Sequence, residues 1–277
     1  MKDERGFRPA SACPSVTKKL LAFDLDGTAV DDYGRLGDKT KHALQRARRA
    51  GHTVCFVTGR REVDMIPLRQ LELYVDYILL NNGGKIRRTV DGAILQNIRI
   101  PEADAKVLIN FCLSRDYPLH VLDGMYWGVN RLTKETLDYV KKLGVSPTLY
   151  HSLEETPYRT VEGFTAYTKN KEIFDFINGA NLALEYVQSD PTSVDIMKKG
   201  ITKWKGTCTL CDLLGIPPQN IIAAGNYTND LDLLRGAGIG VAVNNALDIV
   251  KASADYVTRA DNNHDPVAEI IEVFLGV

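Results

Sequence analysis

No apolar run in this sequence approaches the 18 or so residues that suggest a membrane-spanning helix, so no span is expected. Net charge is nearly absent: 34 Lys and Arg stand against 35 Asp and Glu, or −1 at pH 7 with His neutral. That balance predicts no bulk attraction to nucleic acid or membrane, and leaves open a small anionic substrate, which needs only a local positive site. Cysteine is sparse. The five present (Cys13, Cys55, Cys112, Cys208, Cys211) are odd in number and scattered, which fits a reducing compartment better than a disulfide framework. A cytoplasmic location is the expectation. The histidines show no HExxH or paired spacing. The CxxC spacing at Cys208 and Cys211 falls inside a helical segment with no second ligand pair nearby, so packing is preferred to zinc. Residues 1–17 lack the apolar stretch of a secretory signal and read as a poorly ordered tail.

Apolar residues make up 44% of the 277, enough for a buried core in one large domain or two modest ones. Leu20-Leu21-Ala22-Phe23 reads as an apolar strand running into Asp24-Leu25-Asp26-Gly27-Thr28. A helix from about Lys39 to Ala50 stops at Gly51, and strands follow at Thr53 to Val57 and Tyr77 to Leu80. Strand, helix, strand, helix, strand is the mark of a parallel sheet. From Lys85 to Gln188 short strands come in pairs, with turns at Asp91-Gly92 and Asp123-Gly124, predicting an inserted antiparallel module. After Gln188 the parallel rhythm returns. The fold expected is α/β, a Rossmann-like parallel core over 18–83 and 189–277 carrying an inserted α+β cap over 84–188.

The residues richest in chemistry lie where the first strand ends. Asp24 and Asp26, two apart, face one side of the chain at the carboxyl end of a strand, where open α/β sheets bind ligands. Two close carboxylates repel, so the site needs a cation, a shared proton or both. A hard divalent ion such as Mg²⁺ meets that need through oxygen ligands. A strand-end Asp can also form an acyl phosphate and divide a hydrolysis into two steps.

Asp24-Leu25-Asp26-Gly27-Thr28 resembles the first motif of the haloacid dehalogenase superfamily. Thr58 in Val57-Thr58-Gly59-Arg60 resembles the second, Lys203 the third, and Gly225-Asn226-Tyr227-Thr228-Asn229-Asp230 the fourth. Their order and spacing are similar to the Cof-type phosphatases, which carry a cap between the second and third motifs. The resemblance implies that Asp24 attacks phosphorus and binds Mg²⁺, and that Asp26 is acid then base, its backbone carbonyl a metal ligand. It implies phosphate binding by Thr58, Gly59 and Lys203, metal binding by Asn226 and Asp230, and support from Asn229. Asn82 and Gly83 resemble the cap hinge, and they and Arg60 are possible cap or substrate contacts, as are Tyr126, Trp127, Asn130, Arg131 and Tyr167. Two positions depart from the pattern: Asn226 stands where the family has an acidic ligand, and Trp204 where it usually has Gly. The implied protein is a Mg²⁺-dependent phosphatase of a small phosphorylated metabolite, monomeric or a small homo-oligomer. A phosphomutase-type transferase and a non-catalytic phosphometabolite-binding protein are the alternatives.

Overall fold

The computed structural model describes residues 17–188 and 192–277. The tail expected over 1–17 lies outside them except for Thr17, as does Cys13. Strand β1 (Leu20–Phe23) is buried along its length. Its side chains divide by period two: Leu21 and Phe23 enter one apolar cluster, Leu20 and Ala22 another, so the strand is covered on both faces. Helix α1 (Asp38–Arg49) buries Ala43, Leu44 and Ala47 against the first cluster. Strands β2 (Thr53–Val57) and β3 (Tyr77–Leu80) continue the sheet in parallel. The helix expected after Arg60 is instead a 3-10 segment, Val63–Tyr74, with Pro67 inside it. A proline there cannot donate and crowds the preceding turn, which opposes a regular α-helix.

Strands β4 (Lys85–Arg88) and β5 (Ile94–Asn97) pair antiparallel beside β3, in the same sheet. The boundary expected at residue 84 is therefore displaced: a hairpin can extend the edge of a parallel sheet, so a change of strand direction did not mark a change of domain. The second sheet comes next. It takes in α2 (Glu102–Ser114), β6 (His120–Asp123), β7 (Tyr126–Val129), α3 (Lys134–Leu143), β8 (Thr148–Leu149), β9 (Gly163–Tyr167), α4 (Lys171–Gly179), β10 (Leu184–Gln188) and β11 (Ser193–Lys198). Its strand order is β10-β11-β9-β6-β7-β8. Because β11 pairs with β9 and β10, the return expected at 189 falls after Lys198.

This second sheet has two unlike faces. Val121, Phe164, Ala166 and Ile196 pack under Ala105, Leu108 and Ile109 of α2 and Ile173 and Ile177 of α4. The alternate residues His120, Thr165 and Asp195 stand in register across β6, β9 and β11 and face the first sheet's domain. Polar residues at alternate positions thus make the underside of a cap.

The chain then completes the core with α5 (Lys203–Leu214), β12 (Ile221–Gly225), α6 (Leu231–Gly236), β13 (Ile239–Ala242), α7 (Asp248–Lys251), β14 (Tyr256–Val257) and α8 (Pro266–Leu275). The sheet order is β14-β13-β12-β1-β2-β3-β4-β5. The doubly covered parallel core with an α+β insertion is the architecture expected. Helix α5 comes unusually close to the turn after β3: a Cβ on Gly206 would lie 2.5 Å from the Gly83 Cα. Only two glycines allow that approach, and it seats the start of α5 next to the end of β1. Trp204 packs its ring on Gly236, where a Cβ would lie 2.4 Å away, so the departure at this position fills the space beside α6.

Candidate active site

Asp24 extends the β1 ladder by one bond, its amide donating to the Ala224 carbonyl at 2.9 Å. Gly27, at φ +70°, then turns the chain back on itself. Lys203, at the first turn of α5, reaches into this turn: its Nζ donates to Asp24 Oδ1 and to Asp230 Oδ1, each at 2.6 Å. All three side chains are buried. Burial opposes the ammonium charge, but Asp230 and Asp24 outweigh it and hold Lys203 protonated well beyond its usual range. For Asp24 burial dominates. It pushes the carboxyl up to about 7 against the pull of Lys203, with Asp230 adding to the rise.

Both oxygens of Asp230 are engaged. Its Oδ2 accepts the amides of Asn226 (2.9 Å) and Tyr227 (3.0 Å), and its Oδ1 is held by Lys203. So held, Asp230 organises the loop after β12, which suits it to meet a metal through water more than directly. Among the described residues Asn226 Oδ1 accepts only the Thr28 hydroxyl, at 3.2 Å, and the residue lines the cleft beside Asp24 and Asp26.

Asp26 borders the same cleft as Asp24. Arg60 holds it by two bonds, Nε to Oδ2 at 2.6 Å and Nη2 to Oδ1 at 2.7 Å. Partial burial works to raise this carboxyl, yet Arg60, aided by Lys142 and Lys203, keeps it below the usual range. Thr58 Oγ1 accepts the Arg60 amide at 3.1 Å, which tightens the turn after β2 and leaves the hydroxyl proton free to donate. Thr58, Gly59, Arg60 and Asn229 all border the cleft.

Asn82 and Gly83 do not border it. The Asn82 amide donates to the Thr58 carbonyl (2.9 Å), and Asn82 Oδ1 accepts Asn229 Nδ2 (3.1 Å). These residues brace the motif loops from behind, and since β4 and β5 follow in the same sheet, they are not where the chain enters the cap. Among the other expected cap contacts, Trp127 and Tyr167 line the cleft. Tyr126 bonds the Glu155 carbonyl, Asn130 spans Leu119 and Tyr117, and Arg131 pairs with Asp116, none of them facing the cleft.

The cleft between core and cap encloses about 370 Å³, the size of a small metabolite. Sequence reasoning missed several of its walls. Arg61 is largely buried and joins Asp64 of its own segment (3.2 Å) to Thr165 and Asp195 of the cap. His120 accepts the Trp127 indole N–H at Nδ1 (3.2 Å) and meets the Tyr167 hydroxyl at Nε2 (3.0 Å). Glu135, Tyr139 and Lys142 come from one face of α3. The alternation of polar and apolar residues along β6 and β9 was the signal that could have found His120 and Thr165; nothing local announces Arg61.

The chain matches the haloacid dehalogenase-like hydrolase family over residues 21–271, and it belongs to that family. The 5-amino-6-(5-phospho-D-ribitylamino)uracil phosphatase YitU of Bacillus subtilis is 30% identical to it, covering 93% of this chain and 98% of that protein. The pyridoxal phosphate phosphatase YbhA of Escherichia coli is 26% identical over 92% of this chain and 98% of its own. The solved structure of a HAD subclass IIB sugar phosphatase superposes with a TM-score of 0.79 at 28% identity, covering 93% of this chain and 99% of that one.

Proposed function

We propose that this protein is a Mg²⁺-dependent phosphatase that hydrolyses the phosphomonoester of a small metabolite through an aspartyl-phosphate on Asp24. The observation that carries the reading is the buried Asp24–Lys203–Asp230 triad, whose Asp24 borders the cleft that also holds Asp26. The names of the relatives, phosphatases of phosphorylated small molecules, agree with it.

Asp24 Oδ1 is anchored on Lys203, and Oδ2 accepts no hydrogen bond among the described residues, so Oδ2 is the oxygen free to attack. As it bonds to phosphorus, the bond from phosphorus to the leaving oxygen breaks, and Asp26 gives that oxygen its proton. Asp26 then takes a proton from water, whose oxygen attacks phosphorus and breaks the bond to Asp24. Inorganic phosphate departs and both carboxyl groups are restored. Asp26 must be protonated for the first step although Arg60 favours its ionised form. The negative phosphate ester entering beside it raises its pKa and brings Arg60 a competing partner. Thr58 and Lys203 offer fixed donors to the phosphoryl oxygens, and positioning of this kind supplies most of the catalysis in phosphoryl transfer.

A hard cation fits the donors present. Among the described residues no three Asp, Glu, His or Cys side chains converge to hold an ion unaided. The donors facing the cleft are oxygens: the Asp24 carboxylate, the Asn226 amide oxygen and, by resemblance, the backbone carbonyl of Asp26. Mg²⁺ held there would keep Asp24 ionised despite its burial and offset charge on the phosphoryl group.

The test is release of phosphate from an aryl phosphate and from a panel of phosphorylated metabolites, with and without Mg²⁺, by the protein and by Asp24→Asn. Turnover with Mg²⁺ that falls at least about 10³-fold in the variant is the expected result. Ligand binding without turnover on any ester would instead favour the binding-protein reading, to which the neutral Asn226 lends its support.

A further inference from the structure

Glu135, Tyr139 and Lys142 are spaced by four and three residues, so they share one stripe of α3, and all three line the cleft. The helix is fixed at both ends. The Thr133 hydroxyl accepts the Thr136 amide at its start, and Gly144 closes it in the left-handed conformation. Tyr139 meets the Trp127 ring edge-on, with centroids 5.6 Å apart. The stripe is therefore a defined wall.

The charges around the cleft are almost all paired. Arg60 is engaged by Asp26, Arg61 by Asp64 and Asp195, Lys203 by Asp24 and Asp230, and Glu135 by Lys169. Lys142 differs from these. It has no hydrogen bond or ion pair among the described residues, although it borders the same cleft and its charge bears on Asp26. The adjacent Lys141, exposed like Lys142, pairs with Asp138 and does not border the cleft. On the underside of the cap sheet, Arg61 carries two carboxylates on one guanidinium, which disfavours a further anion there. Among the described residues, α3 is the wall of the cleft that offers an uncommitted cation.

We infer that Lys142 is a specificity-determining residue that receives a second anionic group, carboxylate or phosphate, on the leaving group of the substrate. This rests on the phosphatase reading, and adds that the preferred phosphomonoesters bear another negative charge beyond the one removed. An ammonium on a four-carbon stem follows such a group as a point charge without demanding one geometry.

The experiment uses matched short-chain alkyl monophosphates ending in hydroxyl, carboxylate or phosphate. The wild type is expected to favour either anionic ending over hydroxyl in kcat/KM. Lys142→Gln lowers that preference by about tenfold to a hundredfold, the range of a hydrogen bond to a charged group. Lys142→Arg retains most of it, and Lys141→Gln leaves it intact. Equal treatment of all endings by the wild type, or an equal loss on all of them in Lys142→Gln, overturns the assignment. Equilibrium binding of the same series, measured in an Asp24→Asn background with and without Lys142→Gln, separates the two readings. If no ester is hydrolysed but the binding preference is present and lost with Lys142, the phosphatase reading falls and the assignment of Lys142 stands. If hydrolysis proceeds without preference, the reverse holds.

Discussion

Arg60 grips Asp26 through both carboxylate oxygens, at 2.6 and 2.7 Å, and is itself tied by Nη1 to the Asp64 carbonyl at 3.0 Å. The fork geometry fixes the direction of a carboxyl group that is otherwise half open to solvent. Asp26 is thereby aimed into the cleft, and its proton affinity is set by a residue two positions past the second motif's threonine.

Arg60→Leu follows as a test of that grip. Without the guanidinium Asp26 loses both its orientation and the charge that lowers its pKa. We expect kcat to fall about 10- to 100-fold, the cost of a misaligned catalytic group. Where phosphoryl transfer from the ester limits the rate, the protonated carboxyl persists to higher pH, so the alkaline limb of the pH–rate profile moves upward. A profile with an unmoved limb would show that Arg60 does not govern Asp26.

Asn226 gives a prediction of opposite sign. Asn226→Asp adds a negative charge near Asp24 and Asp230, beside the oxygens proposed to meet the metal. Mg²⁺ should bind about tenfold more tightly, read as a lower half-saturating Mg²⁺ concentration for activity. Without Mg²⁺ the added carboxylate crowds the buried pair, and the variant should be less stable by about 1 kcal/mol, a loss that Mg²⁺ reverses. Thermal melts with and without the ion check the second part. An unchanged metal dependence would refute the placing of Asn226.

Much of this was legible in the sequence because it depends on local rules. Leu20 to Phe23 reads as an apolar strand, which puts Asp24 and Asp26 at a ligand-binding end, and the strand is indeed covered on both faces. Lys203 was legible only through the order of motifs, since nothing in its own segment says that it crosses to Asp24, 179 residues away. The edges of the cap were misplaced for a physical reason: β4 and β5 carry the pattern of a hairpin, and a hairpin pairs as readily with β3 as with a separate sheet. The grip of Arg60 and the bridging by Arg61 are long-range matches of charge. Sequence spacing does not encode them.

Gly206 links the packing of the core to the position of Lys203. In Gly206→Ala the new methyl would stand 2.5 Å from the Gly83 Cα and 2.7 Å from its carbonyl oxygen, both backbone atoms. Helix α5 must move away, carrying Lys203 with it. A stability loss of about 1–3 kcal/mol is expected from such overpacking, with a fall in kcat beyond that of a stability control. Gly179→Ala, where nothing lies within 4 Å, supplies the control and should be neutral or slightly stabilising. Wild-type kinetics in Gly206→Ala would mean that the close approach has no bearing on Lys203.

His120 should make the protein acid-sensitive in a window defined by one buried ring. The Trp127 indole can only donate, so His120 Nδ1 accepts, and the ring's proton rests on Nε2, facing the Tyr167 hydroxyl. A second proton would have to displace the indole bond. Burial, with the nearby Arg61, lowers the pKa from 6.5 to about 3. Between those values the unfolded chain binds a proton that the folded chain refuses, so stability rises with pH there and is lost as pH falls below 6.5. At about pH 5 the loss from this group is about 2 kcal/mol, from roughly 1.5 pKa units at about 1.36 kcal/mol each. Urea unfolding of the wild type and His120→Gln at about pH 7.5 and pH 5 measures it. The variant starts less stable, because the indole and hydroxyl lose well-placed partners, but it should lose about 2 kcal/mol less than the wild type on acidification. Equal losses in the two proteins would mean that the ring takes up its proton in the folded cap, and that the bond from Trp127 does not hold it neutral.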